Sequence, residues 1–568
     1  MFIRVVKVKD KKKNIVREYL RIVENYRERK KQRQRVIGHL GRVDLIPKGK
    51  LTELAKKLSR FEGNNLYSEN DLIANSSVIL GPVVIIKKIW EEIKIGKIID
   101  DICGDEVSER AFVLVSCRLL EGCSEHGLYY FLKEYYVCDS KGRRWEDEFD
   151  DNFHKRMVES NGRDRVKVKW AKLQKWYRAL DKLIENKEKI EVSIYEQMKD
   201  LFSLEVDIIF YDITSIYFEG KGPDNLARFG YSRDGKKDNR QILLGVVMAD
   251  GLPIAHHIFP GGSVDKTTLD FVIRDLRERF KIRDIIFVAD KGINTQENIK
   301  RLEEIGYRYI LGVSLSNCKE AREIIENTSQ LKWRNYNDDT RYSLVDIKGE
   351  RWILVDSQEK RKYEEKMRQV WIEKGAKELD RLKERVEKGR LRDEKKIAYY
   401  LGSISKKYHI KRYFSWEIKG GLKFWIDWDK IKEEARYEGR YLLRTNDKRL
   451  KAEEVIRQYK NLWEIESCFR DIKDVIKIRP VYHKTEKRTK AHIFIGVIGY
   501  LIEKLIQKKI KQAKIRITTK DALEFSKSVK VVEIEVGEKK IKLITQKIDS
   551  ITREVFNLLG IRLPRVLR

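Results

Sequence analysis

The run Val206–Phe218 (VDIIFYDITSIYF) constrains the fold of this chain more than any other segment. It is dense in β-branched and aromatic residues, so it reads as a central strand covered on both faces. Asp212 stands in its middle. A carboxylate there costs free energy unless a cation pairs with it or a metal takes it as a ligand. The chain must therefore bury this strand in a sheet and still give Asp212 a partner.

The next segments supply the rest of that sheet. Arg240–Met248, the turn Asp250-Gly251 and Leu252–Phe259 make a hairpin. Val264–Phe280 has helical spacing, Asp284–Ala289 is a short apolar strand, Asn294 caps a helix to Ile305, and Tyr307–Val313 is another strand. Three mostly antiparallel strands, then helix, strand, helix, strand, is the order of an RNase H-like α/β core: a mixed sheet with parallel strands and flanking helices. Asp290 closes the Asp284–Ala289 strand at its carboxyl end, where open α/β sheets place ligands. A helix is predicted from Ala452 to about Ile478, stopped by Pro480. On it, Tyr459, Leu462, Glu466 and Lys473 share a face with Val455 and Phe469, which turns Glu466 to the core side. Ile493–Ile506 reads as a buried supporting helix.

Residues 321–445 interrupt this core as an α+β insertion. Glu359–Lys396 is charged in both signs, and the helical spacing of Tyr363, Met367, Val370 and then Leu379, Leu382, Val386 predicts two amphipathic helices with a break at Gly375. Aromatic strands follow (Tyr413, Phe414, Trp416, Phe424, Trp425, Trp428), suited to core packing or to stacking on single-stranded nucleic acid. Near the amino terminus, Phe2–Val8, Ile15–Val23 and Arg35–Leu40 suggest a small β-unit, and the first 50 residues carry 17 Lys/Arg against 5 Asp/Glu. Val83 to about Lys199 is helical. Ser108 caps a helix to Leu120, Glu121-Gly122-Cys123 turns, and Ser124 caps a second helix to Tyr135, in the proportions of a helix-turn-helix or of any bundle corner. Cys138–Lys169 reads as a polar linker. The expected division is 1–66, a basic β-unit; 67–200, a helical DNA-binding domain; 201–320, the first part of the catalytic core; 321–445, the insertion; 446–508, the second part of the core; and 509–568, a segment for dimerisation or DNA contact. That last segment holds a hairpin-like Val531–Ile541 and a helix around Asp549–Leu559.

Charge identifies the class of partner. With 122 Lys+Arg against 90 Asp+Glu, the 568 residues carry a formal +32, which favours a polyanion such as nucleic acid. Six cysteines form no C-x-x-C pair, so they read as free thiols and exclude a zinc ribbon. Sparse cysteines, no apolar leader and no span of about 20 apolar residues predict a cytoplasmic protein, nucleoid-associated when bound to DNA, with no membrane partner. G-x-x-x-x-G-K-[ST], G-x-G-x-x-G and H-E-x-x-H are all missing, which excludes ATP-driven translocation and the usual dinucleotide and zinc-hydrolase chemistries.

Asp212 mid-strand, Asp290 at a strand end and Glu466 on a helix supply the hard oxygen donors of two-metal phosphoryl transfer. Here the flanking residues become specific. Tyr459, Glu466 and Lys473 fit a Y-x2-R-x3-E-x6-K signature, read here as YKNLWEIESCFRDIK, with Leu462 at the Arg position. YDITS around Asp212, GYSRDGKKDNRQ at 230–241, VADKG around Asp290, YEGRYLLRTND at 437–447, and RPVYH with AHIF at 479–494 extend the match. The chain thus resembles a DDE transposase of a prokaryotic insertion sequence, strongly over about 200–505 and more loosely over the first 60 residues. In that family an insertion lies between the second Asp and the Glu, and here 175 residues separate Asp290 from Glu466.

The resemblance implies that Asp212, Asp290 and Glu466 ligate two Mg²⁺ ions, with Mn²⁺ able to substitute. It also implies that Tyr459 and Lys473 contact DNA phosphates. Arg470, one turn beyond Glu466, offers a substitute for the missing signature Arg, and Trp463 either stacks on an unpaired base or packs in the core. The implied reaction is strand transfer without a covalent protein intermediate: water attacks at the element end, and the freed 3′-hydroxyl attacks target DNA. Implied partners are double-stranded DNA, as terminal inverted repeats and target, and a second copy in a homodimer. Two other readings remain: a metal-dependent endonuclease that never rejoins, and a domesticated, inactive DNA-binding protein.

Overall fold

A computed structural model describes the chain apart from residues 11–14, 30, 64–65, 68–71, 150–158, 160–161, 203–206, 264–267, 348, 537–538 and 568, and apart from the side chains of Asp10 and of 162–171. The predicted element starts at Val206 and Val264, and part of the Cys138–Lys169 linker, lie outside the described residues. The chain forms two compact units. One comprises Met1–Leu80, Lys527–Asp549 and Arg562–Arg568; the other comprises Gly81–Ser526 and Ser550–Ile561.

In the first unit, β1 (Phe2–Asp10), β2 (Ile15–Glu28) and β3 (Lys31–Arg42) form an antiparallel sheet. Of the described side chains in these strands only Val23 is buried, and Arg4, Arg27, Arg29, Arg33 and Arg35 are exposed. After the helix Lys50–Phe61, β4 (Leu72–Ile79) pairs with strands from the far end of the chain, described below.

The second unit opens with helices Gly81–Glu92, Ile95–Cys103 and Asp105–Glu121. Ser108 does not cap the last of these. The helix starts three residues earlier, after Gly104, and the buried Ser108 hydroxyl donates to the Gly96 carbonyl at 2.7 Å. After the turn, a short 3₁₀ segment Glu125–Gly127 precedes the helix Leu128–Glu134, so Ser124 does not cap that helix directly. Nor are all the cysteines free thiols: Cys117 and Cys123 are disulfide-bonded. Gly122, at φ 60°, ends the Asp105–Glu121 helix in the left-handed region and turns the chain back so that the two sulfurs meet.

The centre of this unit is a nine-stranded mixed sheet. Its antiparallel meander is β5 (Ile208–Tyr217), β6 (Gln241–Ala249) and β7 (Leu252–Pro260). At the β6–β7 turn both Asp250 and Gly251 have positive φ, as a two-residue hairpin requires. Then β8 (Ile286–Ala289) runs parallel to β5, and β9 (Arg308–Val313) parallel to β8. All nine residues of β6 are buried, so helices cover the sheet as the uninterrupted apolar runs demand.

β10 (Trp333–Asn335), β11 (Thr340–Ile347) and β12 (Glu350–Ser357) extend this same sheet rather than standing apart in the insertion. The helix Gln358–Glu387 then runs unbroken through Gly375, contrary to the predicted break. This glycine answers packing: a Cβ there would lie 2.8 Å from Ile410 and 3.2 Å from Phe414. Helix Glu394–Tyr408 and the two-stranded ribbon β13 (Phe414–Glu417) and β14 (Lys423–Ile426) complete this layer. Its aromatics serve mainly as packing: Phe414 is fully buried, Tyr413 is buried, and Trp416 and Phe424 pack against the same cluster. β15 (Arg440–Thr445) re-enters the sheet between β12 and β9, giving the order β10-β11-β12-β15-β9-β8-β5-β6-β7. The chain ends with β16 (Lys530–Val536), β17 (Lys539–Ile544) and β18 (Val566–Leu567), which join β4 in the first unit. Among the described residues no helix is long and apolar enough to cross a membrane.

A buried charge cluster ties helix Lys187–Phe202 to β7 and helix Leu269–Glu278. His256 Nδ1 lies 2.7 Å from Glu191, with Lys187, Arg279, Asp275 and His257 around it. Burial pushes the His256 imidazole down to about 4, Lys187 adds to the effect and Glu191 opposes it; His257 is pushed the same way by burial. Unfolding frees His256 to take up a proton near its ordinary 6.5, so its contribution is complete above that pH and is lost as pH falls toward 4. Urea midpoints should therefore decline across pH 6.5 to 4. The decline should be shallower in His256→Gln; an identical slope in the variant would contradict this assignment.

Candidate active site

Two carboxylates meet where β8 ends beside the middle of β5. The parallel register pairs Tyr211 with Ala289, so Asp212 and Asp290 are the next residues on neighbouring strands, about 4.8 Å apart across the ladder. Asp212 Oδ1 accepts the Ile213 N–H at 2.7 Å, and Asp290 Oδ1 accepts the Gly292 N–H at 2.7 Å, turning the chain off the end of β8. Both carboxylates are half-buried.

The third arrives on helix Trp463–Asp474, which packs against β5. The single helix predicted over 452–478 is two, Ala452–Lys460 and Trp463–Asp474. At the junction, three-residue hydrogen bonds tighten the turn: Leu462 N–H to Tyr459 O at 3.1 Å, Glu464 N–H to Asn461 O at 2.9 Å, and Ile465 N–H to Leu462 O at 3.1 Å. This resets the helical phase. Ile465, Cys468, Phe469 and Ile472 take the buried face, and Glu466 is exposed toward a cleft, not turned to the core as predicted.

That cleft has a volume of about 1120 Å³ and is lined by Asp290, Lys291, Tyr459, Leu462, Trp463 and Glu466 from the core side, with Tyr363, Trp371 and Arg412 among the residues opposite. Tyr459 joins the three acids. Burial raises its phenol, and the charges of Asp290, Glu466 and Asp212 raise it further, so all three carboxylates lie within electrostatic reach of one hydroxyl. Its ring stacks on Tyr441 at 6.0 Å. Neither Asp290 nor Glu466 forms an ion pair with any described residue. Three converging carboxylates with no histidine or thiolate among them suit a hard cation of the Mg²⁺ or Mn²⁺ kind.

The remaining predicted residues are placed differently. Lys473 is buried, and its Nζ donates to Asp234 Oδ1 at 2.9 Å; burial lowers its pKa, and Asp234 pulls the other way. Arg479 pairs with the same Asp234 carboxylate. These three line a basic recess of about 440 Å³ with Tyr217, Lys236, Asp474 and Lys477. Arg470 and Trp463 are exposed, Trp463 at the cleft wall, and Leu462 is buried at that wall. Sequence reasoning missed Asp234, although it lies inside the GYSRDGKK segment. It also missed Gly312 on β9, where a Cβ would collide with the Tyr459 hydroxyl. Gly312→Ala should displace that phenol, cost about 1–3 kcal/mol of stability by overpacking, and reduce DNA cleavage by the folded protein about tenfold or more; activity matching the parent protein would remove Tyr459 from the site.

Two family models match the chain: an IS1634 family transposase N-terminal domain over residues 3–71, and a transposase DDE domain over residues 205–502, more than half the sequence. No curated protein matches. Among solved structures, the chain is similar at 9% identity and a TM-score of 0.35 to a piggyBac transposase synaptic complex with hairpin DNA, covering 78% of this chain and 79% of that one. It is similar at 14% identity and a TM-score of 0.14 to a Mos1 transposase paired-end complex with the left transposon end, covering 35% and 76%. The DDE match spans the positions of Asp212, Asp290 and Glu466, and on the two family matches this chain belongs to the DDE transposases of insertion sequences.

Proposed function

We propose that the chain cleaves DNA at the ends of its own element and joins the freed 3′ end to target DNA, on an RNase H-like core, with Asp212, Asp290 and Glu466 holding two divalent ions. The observation that carries this reading is that Asp290 and Glu466 line one cleft with Tyr459 while the β5–β8 register sets Asp212 beside Asp290. When bound, such ions lower the pKa of an attacking water or 3′-hydroxyl and stabilise the departing oxygen. The chain's own groups bind and orient. Asp212 and Asp290 are fixed by the strand register and by their backbone hydrogen bonds, while Glu466 comes from a separate helix. In the first step a water oxygen bonds to phosphorus and the 3′-oxygen leaves with a proton; in the second that 3′-hydroxyl attacks a target phosphodiester and expels another 3′-oxygen.

Lys291, Arg470 and the recess of Lys236, Lys473, Lys477 and Arg479 supply cations for the DNA backbone, with Tyr459 and Trp463 lining the approach. Lys473 reaches a phosphate only by sharing or leaving Asp234. The arginines on β1–β3 give a second cationic surface, and two copies of the chain hold the two element ends together. If many phosphates are neutralised, affinity for terminal-repeat DNA should fall about a thousandfold between roughly 50 and 200 mM salt. A flat response would remove the polyanion argument. The decisive assay supplies a pre-cleaved element end and a target plasmid. Joining by the parent protein and none by Asp212→Asn supports the proposal; cleavage without joining identifies an endonuclease, and binding without cleavage an inactive DNA-binding protein.

A further inference from the structure

Outside the DDE site, one cluster gathers metal-ligating groups of a different chemical kind. Glu125, on the 3₁₀ turn Glu125–Gly127, faces His483, beyond the Phe218–Val481 bridge, and His492, on helix Glu486–Gln512. One donor atom from each lies within 4.8 Å of the other two. His483 Nε2 is 3.4 Å from Glu125 Oε2, and His492 Nδ1 is 3.9 Å from Glu125 Oε1. Glu125 and His492 are at most 4% exposed.

The orientation of His492 is the informative detail. Its Nε2 lies 3.0 Å from the Ile478 carbonyl, which can only accept, so Nε2 carries the proton and Nδ1 presents a lone pair toward the Glu125 carboxylate. A backbone carbonyl holding the far ring nitrogen is the usual support of a metal-bound imidazole. Two facing acceptors need a cation between or beside them. Arg118 provides one, donating through Nη2 to His492 Nδ1 at 3.1 Å, but it fits poorly. Its other contacts, to the carbonyls of Gly122 and Lys477, are 3.3 and 3.4 Å, and its buried Nε has no hydrogen-bond partner.

We propose that Glu125, His483 and His492 form a binding site for a borderline divalent cation of the Zn²⁺ class, separate from the hard-cation DDE site. Two imidazoles and one carboxylate are a zinc donor set with an open fourth position, whereas Mg²⁺ prefers oxygen alone. Binding requires Arg118 to give up its contact with His492 and to share the Glu125 charge with the ion, while its Nη1 keeps the two carbonyls. The ion would tie the corner after helix Asp105–Glu121 to the strap that leaves the Glu466 helix, because Arg118 and His492 already hold the Lys477 and Ile478 carbonyls.

The test titrates metal-free, full-length protein with Zn²⁺ in excess Mg²⁺, which occupies the carboxylate site, and follows transfer from a chromophoric chelator. The parent protein should take up one equivalent tightly. His483→Ala should bind at least about tenfold more weakly, and His483→Cys, which keeps a donor, should retain binding and add a thiolate charge-transfer band with Co²⁺. Should His483→Ala fail to fold, zinc X-ray absorption on the parent protein decides: outer-shell scattering from two imidazoles supports the site, and oxygen-only ligation overturns it. Absence of zinc uptake by the parent, or uptake unchanged in a folded His483→Ala, likewise overturns it.

Discussion

Asp212→Asn is expected to abolish cleavage and strand transfer, by about a thousandfold or more, without harming the fold. Asp212 lies in a buried strand, and asparagine keeps its shape and its acceptor for the Ile213 N–H. The substitution removes one of three negative charges that together act on the Tyr459 phenol. Without divalent ions, that lowers mutual repulsion, so the metal-free variant should melt no earlier than the parent. With Mg²⁺ or Mn²⁺ added, the parent should gain thermal stability and the variant should gain far less, because ligands that bind only the folded state stabilise it by mass action. Glu466→Gln should behave alike. An Asp212→Asn protein that is inactive and also unstable without metal would mean the carboxylate serves folding.

The largest expected effect on stability lies away from the catalytic acids. Glu191 is buried and pairs with three basic groups: Lys187 at 2.8 Å, Arg279 at 2.6 Å and His256 at 2.7 Å. Its carboxyl is held well below the usual range; burial works against this, and Lys187, His256 and Arg279 outweigh it. Glu191→Ala takes the carboxylate from the half-buried Lys187 and leaves Arg279 with Asp275 alone, and breaking such a pair around a buried carboxylate costs about 3 kcal/mol. Urea denaturation should report that loss, and adding Lys187→Met should recover part of it. A loss under about 0.5 kcal/mol would mean that the cluster relaxes freely into water.

Elements dominated by one strong signal were legible in the sequence. The runs around Asp212 and Ile285–Ala289 became β5 and β8, and the Asp250-Gly251 turn and the buried Ile493–Ile506 helix stand where the pattern put them. The acids converge because two of them sit at matching register on parallel strands, a relation that apolar runs and strand ends encode. What stayed hidden depends on distant contacts. Gly375 looks like a helix break in isolation, yet it accommodates Ile410 and Phe414 from another segment. The tight turn at Tyr459–Leu462 leaves the apolar spacing nearly intact while redirecting Glu466. The short strands β10–β12 carry mixed polarity, so only their place beside β15 makes them part of the central sheet. Asp234 likewise gains meaning only once Lys473 and Arg479 close on it.

The most direct test of the central claim counts the ions that the three acids share. The DNA-bound protein, titrated with Mn²⁺ and read by electron paramagnetic resonance, should bind two ions per active site with the spectrum of a magnetically coupled pair. That coupling should vanish in Asp212→Asn, Asp290→Asn and Glu466→Gln alike. A lone uncoupled Mn²⁺, or a coupled pair that survives Glu466→Gln, would contradict a shared three-carboxylate site.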